Sequence, residues 1–179
     1  ERISSDLKFA EAISIPLTFL FLLFVFGGLI ASAMPVVVAI SAILGAFVIL
    51  YLISLATGVS IFALNLITGL GMGLGIDYSL LMVNRFREEL KSGKSVEEAV
   101  AQTVKTAGRT VFFSGITVMI SLASLMFSPQ MFLKSFGYGG VAVVAIAILG
   151  ALIPLPAILA LLGTKIDKFV VRKGAITPK

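Results

Sequence analysis

Gly69-Leu70-Gly71-Met72-Gly73-Leu74-Gly75-Ile76-Asp77-Tyr78 decides how this chain is read. It lies in an apolar run from about Ser60 to Asn84 whose single charge is Asp77. Such a run has the length of about 20 residues that crosses a bilayer as a helix. A carboxylate inside it costs about 2.5–3.5 kcal/mol on insertion scales, so its presence calls for a reason. At about 1.5 Å of rise per residue, Asp77 sits roughly 25 Å from Ser60 and 10 Å from Asn84, within the hydrocarbon and toward one side. No other acid lies within an apolar run, and no Lys or Arg is there to pair with it. Burial disfavours the charged form of a carboxyl, which suits a group that loads and releases a proton. The plainer alternative is an acid held neutral by hydrogen bonds, or paired with a segment outside this chain.

Tyr78 and the glycines extend the same reading. Neighbours on a helix point about 100° apart, so Tyr78 cannot easily bond the Asp77 carboxylate beside it. Its hydroxyl still needs a partner when buried, and the depth is too great for an interfacial belt tyrosine. The pair is therefore suited to meet groups on a second helix. Gly69/Gly73 and Gly71/Gly75 are each four apart and form two overlapping small faces that allow close helix approach. Each glycine also costs about 1 kcal/mol of helix stability relative to Ala, which makes the helix deformable above its charge. Plain packing explains the same glycines without excluding function.

Working outward, the rest of the chain is just as apolar. Of 179 residues 59% are hydrophobic and 13% charged, with a mean hydropathy of +1.12. Soluble domains carry about 25% charged residues. Disorder and nucleic-acid binding are excluded as main readings despite a net charge of +5. With no Cys and no His, thiol chemistry, disulfides, a zinc site and a His-based triad are excluded as well. The chain opens on Glu1, with no signal-peptide pattern after it, and reads as a piece of something longer. Spans are expected at about 12–33, 35–56, 60–84, 110–127 and 132–162. The break at Ser32–Pro35 makes a tight hairpin of the first two, and the fifth can tilt or bend at Pro154 and Pro156. The fold class is thus an all-α membrane protein, a single domain over 1–179 built as a bundle of five transmembrane helices.

Charge sets the orientation. Segment 85–109 holds six basic residues and the tail 163–179 holds five, 11 of the 14 in the chain. By the positive-inside rule both are cytoplasmic and the N-terminus is extracytoplasmic. Ser95-Val96-Glu97-Glu98 has the form of a capping box, and apolar residues then recur at helical spacing. A short cytoplasmic helix over about 95–108, lying at the interface, is expected there. In the fourth span Ser114, Thr117, Ser121 and Ser124 share one face. They either bond their own backbone or face Asp77 and line a polar path, with Ser114 at the depth of Asp77.

Several strings resemble one family. Gly73-Leu74-Gly75-Ile76-Asp77-Tyr78 followed by Arg85-Phe86-Arg87-Glu88-Glu89-Leu90 is similar to the fourth transmembrane helix of the MMPL family, the mycobacterial membrane protein large transporters of the resistance–nodulation–division superfamily. Gly108-Arg109-Thr110-Val111 with Ser114, and Ser135-Phe136-Gly137-Tyr138, resemble its N-terminal half, so the likeness covers about residues 12–165. The resemblance implies that the five spans are family helices two to six. The porter domain and the second transmembrane half would lie outside this chain as its partners. It implies export of envelope lipids or glycolipids across the inner membrane, driven by the proton motive force. Asp77 and Tyr78 would be the proton-relay pair meeting a like pair on the tenth helix, with Ser114 beside them.

No enzyme activity, metal or cofactor is expected, the proton being the coupling ion. One acid without a second acid, His or ligand set makes a poor catalytic site. Partners are a lipid substrate and the bilayer, not nucleic acid. Two copies of the chain, each with one Asp-Tyr pair, would mimic the pseudo-symmetric whole. The alternatives are a lipid-binding or sensing module like a sterol-sensing domain, without proton transport, and a Sec-type accessory subunit, which the Arg85–Glu89 string disfavours.

Overall fold

The computed structural model describes residues 16–17 and 29–167. The chain divides into two compact units, one from Met34 to Gly163 and the other made of Glu1–Ala33 with Thr164–Lys179. Among the described residues every regular element is helical: α1 (Leu29–Ser54), α2 (Phe62–Lys91), α3 (Val96–Thr103), a π turn (Val104–Gly108), α4 (Arg109–Ala123), a 3-10 turn (Ser124–Phe127), α5 (Met131–Leu152) and α6 (Pro154–Leu162), with a further 3-10 turn over Gly163–Asp167.

Four of these rods are long and apolar enough to cross a membrane: Ala31–Ser54, Phe62–Lys91, Val96–Phe127 and Met131–Leu162. The chain is a multi-pass membrane protein. Its outward faces carry Val37, Ile40, Leu44 and Val48 on α1 and Phe112, Phe113 and Ile120 on α4, all exposed. Large apolar side chains facing outward suit lipid, where every backbone group must be satisfied within a helix. The expected first span at 12–33 falls largely outside the described residues.

α5 is the centre of the bundle and packs against both α2 and α4. Ala142, Val143, Val144, Ala147, Ile148 and Ala151 are buried along it. α1 joins through close backbone approach. A Cβ added to Gly45 would lie 2.7 Å from Ile146 Cδ1, and one on Gly75 only 2.6 Å from Ala39 Cα. Without a hydrophobic force between helices in lipid, such tight packing supplies the adhesion. At one end of the bundle the Ser60 amide donates to Ser135 Oγ at 2.9 Å, and that hydroxyl donates to Met131 O, pinning the α1–α2 connection to α5.

Two expectations are corrected. The break at Ser32–Pro35 is absent, because α1 runs straight through Pro35. Proline removes one backbone donor and crowds the carbonyl four residues back. Unwinding the turn in lipid would expose more unpaired groups than the proline does, so the helix persists. The expected short helix at 95–108 is not separate from the span at 110–127. Ser95 does form the capping box, with its Oγ accepting from the Glu98 amide at 3.3 Å and its own amide donating to Glu98 Oε2 at 3.0 Å. The helix it starts then continues through the π turn into α4 as one rod. Within the apolar rod Met131–Leu162 the helix is interrupted at Ile153, with φ −112° and ψ −73°, just before Pro154, where a bend is expected. Pro154 and Pro156 lack the amides that would bond Gly150 and Leu152, and proline restricts the residue before it.

Candidate functional site

The site grows from α2. Gly71 and Gly75 face inward: a Cβ on Gly71 would sit 2.5 Å from Ile43 Cγ1 and 2.9 Å from Val143 Cγ2. Gly69 and Gly73 meet nothing within 4 Å among the described residues. Of the two small faces, the described residues cover one and leave the other open. Asp77 continues the open face, spaced 4 and 4 from Gly69 and Gly73, and is exposed. Among the described residues nothing covers the flank that carries Asp77, because the packing of Gly71 and Gly75 on α1 turns the opposite side of the helix outward.

Tyr78 turns the other way. It is buried, and its hydroxyl sits against Gly115 of α4, where an added Cβ would lie 3.3 Å away. Ser114 and Asp77 are the polar groups that act on that hydroxyl, but neither meets hydrogen-bond geometry, and it is buried without a partner. Leaving a buried hydroxyl unpaired costs about 1–3 kcal/mol. Asp77, Tyr78 and Ser114 line one cavity of about 550 Å³, together with Asn84, Glu88 and Thr110. The structure brings these three expected site residues together.

It does not bring the rest of the polar stripe to them. Thr117 donates to Phe113 O at 2.9 Å, Ser121 to Thr117 O at 3.0 Å and Ser124 to Ser121 O at 2.7 Å. All three are exposed and none lines the Asp77 cavity. The stripe satisfies its own backbone, the usual habit of hydroxyls in membrane helices.

The other end of the cavity is ionic. Arg85 Nη1 lies 3.1 Å from Glu88 Oε2. Glu89, only 6% exposed at its side chain, accepts from both Arg85 and Lys94. The Lys94 ammonium bonded to it, with Arg85 adding to the effect, holds the Glu89 carboxyl below the usual carboxylate range in this polar segment beyond the expected span. Gly93, at φ +88°, takes the left-handed turn that ends α2 and places Lys94 there.

Sequence reasoning missed Gly115, Asn84, Glu88 and Thr110 as lining or shaping residues. Asn84, Glu88 and Asp77 do lie at helical spacing on one face, which was a usable signal. Nothing in Val104-Lys105-Thr106-Ala107-Gly108 announces the π turn that aims Thr106 and Thr110.

Residues 1–177 match the profile of the MMPL family. The chain belongs to the MMPL family. MMPL relatives of high identity include a putative membrane protein of Streptomyces coelicolor, 49% identical over 93% of this chain and 24% of the relative. The trehalose monomycolate exporter MmpL3 of Mycolicibacterium smegmatis is 44% identical over 92% of this chain and 16% of its own length. The mycolic acid-containing lipids exporter MmpL11 of the same organism is 34% identical over 88% of this chain and 17% of its own. This MMPL chain therefore spans less than a quarter of the length of these relatives.

Proposed function

We propose that this chain is part of the membrane domain of a proton-motive-force-driven exporter of cell-envelope lipids or glycolipids, a transporter and not an enzyme, with Asp77 and Tyr78 as its proton relay. The observation that carries the reading is Asp77 itself: a lone acid in an apolar run, on a glycine flank that no described residue covers, in a cavity it shares with Tyr78 and Ser114. An uncompensated acid facing lipid is costly. A second membrane half laid along Gly69, Gly73 and Asp77 removes that cost and supplies polar groups to the carboxylate. Protonation of Asp77 then changes its bonds to the covering helix, and the helices shift. One charge crossing 100 mV is worth about 2.3 kcal/mol, enough to bias a two-state element. The exporter names of the MmpL3 and MmpL11 relatives support a lipid as cargo. The basic segment 85–109 and the tail face the cytoplasm in this reading, with five spans in the inner membrane.

The test is lipid flux in proteoliposomes carrying the full-length parent, with and without an imposed pH gradient. Wild type requires the gradient, and Asp77→Asn abolishes flux while the protein still folds. Full flux in Asp77→Asn overturns the proposal. A second reading, a lipid-binding module without proton transport, draws on the apolar groove of about 280 Å³ between α1 and α2 lined by Phe47, Leu50, Tyr51 and Leu64. It predicts lipid binding indifferent to both pH and Asp77→Asn.

A further inference from the structure

A second cavity, of about 370 Å³, adjoins the first and holds Arg85, Glu88 and Thr106. Leu81, Asn84, Glu88 and Thr110 line both. The two thus form one cleft that starts at Asp77, passes Asn84 and opens at Glu88, between α2 and the π turn. Positions 77, 81, 84 and 88 are spaced 4, 3 and 4, so one face of α2 makes its floor over roughly 16 Å. The opposite wall comes from the π turn and α4. A π turn takes up one extra residue, which turns the following face by about 100° relative to an unbroken helix. Its Thr106 hydroxyl donates to Gln102 O at 2.8 Å and the Thr110 hydroxyl to Thr106 O at 3.4 Å, and both residues line the cleft. That wall presents hydroxyls and no charge. The charged groups lining the cleft are Asp77, Arg85 and Glu88, all from α2. Glu88 is 65% exposed at the mouth and has Oε2 on Arg85.

We propose that this cleft is the route by which a proton leaves Asp77, and that Glu88 receives it at the mouth. The inference rests on the proton role proposed for Asp77. A span of roughly 16 Å is too long for direct transfer, but Tyr78, Asn84, Thr106, Thr110 and Ser114 set polar groups along an otherwise largely apolar cleft, and it is wide enough for a file of water molecules, each occupying about 30 Å³. The Asp77 carboxyl gives its proton to the first water and becomes carboxylate. The file passes one proton on, and the Glu88 carboxylate takes it up. Glu88 then releases a proton to bulk water and is ionised again. Arg85, with Nη1 3.1 Å from Glu88 Oε2, holds the acceptor at the mouth.

The experiment uses the full-length parent in proteoliposomes with a trapped pH dye. Glu88→Gln is expected to slow gradient-driven proton movement by at least about tenfold, the low side of what a positioned proton-transfer group contributes. Glu88→Asp restores most of it, and lipid binding is the same in all three. Wild-type proton movement in Glu88→Gln, with Asp77→Asn inactive, overturns the route and leaves the role of Asp77 standing. Wild-type movement in Asp77→Asn overturns the role of Asp77 and the route with it. An independent measurement needs no transport. In a cysteine-free background of the parent, Asn84→Cys and Thr110→Cys are expected to react with a membrane-impermeant thiol reagent applied from the Arg85 side. The buried Val83→Cys does not. Labelling of the cleft positions no faster than Val83→Cys overturns the proposal even where Glu88→Gln fails to fold.

Discussion

Asp77 and Tyr78 are one residue apart and serve two different surfaces, the first an open flank and the second the packed interior beside Gly115. Their 100° divergence was legible from helix geometry. Which of them faces inward was not, because in lipid both the covered and the uncovered sides of a helix are apolar, and burial leaves little mark on composition. The glycines show the same limit. Their four-residue spacing defines two faces, but only the structure tells the used face from the unused one. Substitution separates them. Gly75→Ala drives a methyl group to 2.6 Å from the Ala39 backbone, and overpacking of this kind costs about 1–3 kcal/mol. Gly73→Ala meets open space and removes the glycine penalty of up to about 1 kcal/mol. Thermal unfolding of the chain in detergent is expected to show a lowered midpoint for Gly75→Ala and an unchanged or raised one for Gly73→Ala. Equal effects of one sign would contradict the packing described here.

At the scale of elements, apolar run length located the rods and the Ser95–Glu98 box located the start of one. Connections were harder. Pro35 reads as a break by local preference, yet the bilayer holds the helix together through it. The π turn reads as ordinary helix, since the energetic difference between one turn width and another is set by tertiary contacts and not by Val, Lys, Thr, Ala or Gly individually. The α2–α3 corner depends on a single carboxylate, Glu89, shared by Arg85 and Lys94. Its carboxyl titrates lower in the folded chain than when unfolded. Its stabilising effect is therefore complete above the ordinary carboxylate range and is lost as pH falls through the lowered value. Amide exchange at Ser92–Ser95 is expected to accelerate in strong acid and not in mild alkali. Glu89→Gln should show fast exchange already at neutral pH. Exchange in that variant as slow as in wild type would remove Glu89 from the role of corner clamp.

At the scale of the molecule, the described bundle is finished on some sides and unfinished on one. α5 is buried at Ala142, Val143, Val144, Ala147 and Ala151, while the flank of α2 with Gly69, Gly73 and Asp77 is open among the described residues. This predicts opposite consequences for one substitution in two settings. In the chain alone Asp77→Leu removes an acid from lipid contact and should favour membrane insertion by about 3 kcal/mol, read by a glycosylation-based insertion assay. In the full-length parent the same change should abolish gradient-driven flux. If insertion of the chain is unaffected by Asp77→Leu, the flank is not in lipid. The bare flank also has a mechanical meaning. Where Gly69 and Gly73 stand, α2 presents main chain without projecting side chains, so it offers neither teeth nor notches to a helix laid against it. Such a surface resists sliding and rolling very little. It works as a smooth rail with one stop on it, the carboxylate, and the position of whatever rides there is set by whether that stop is charged.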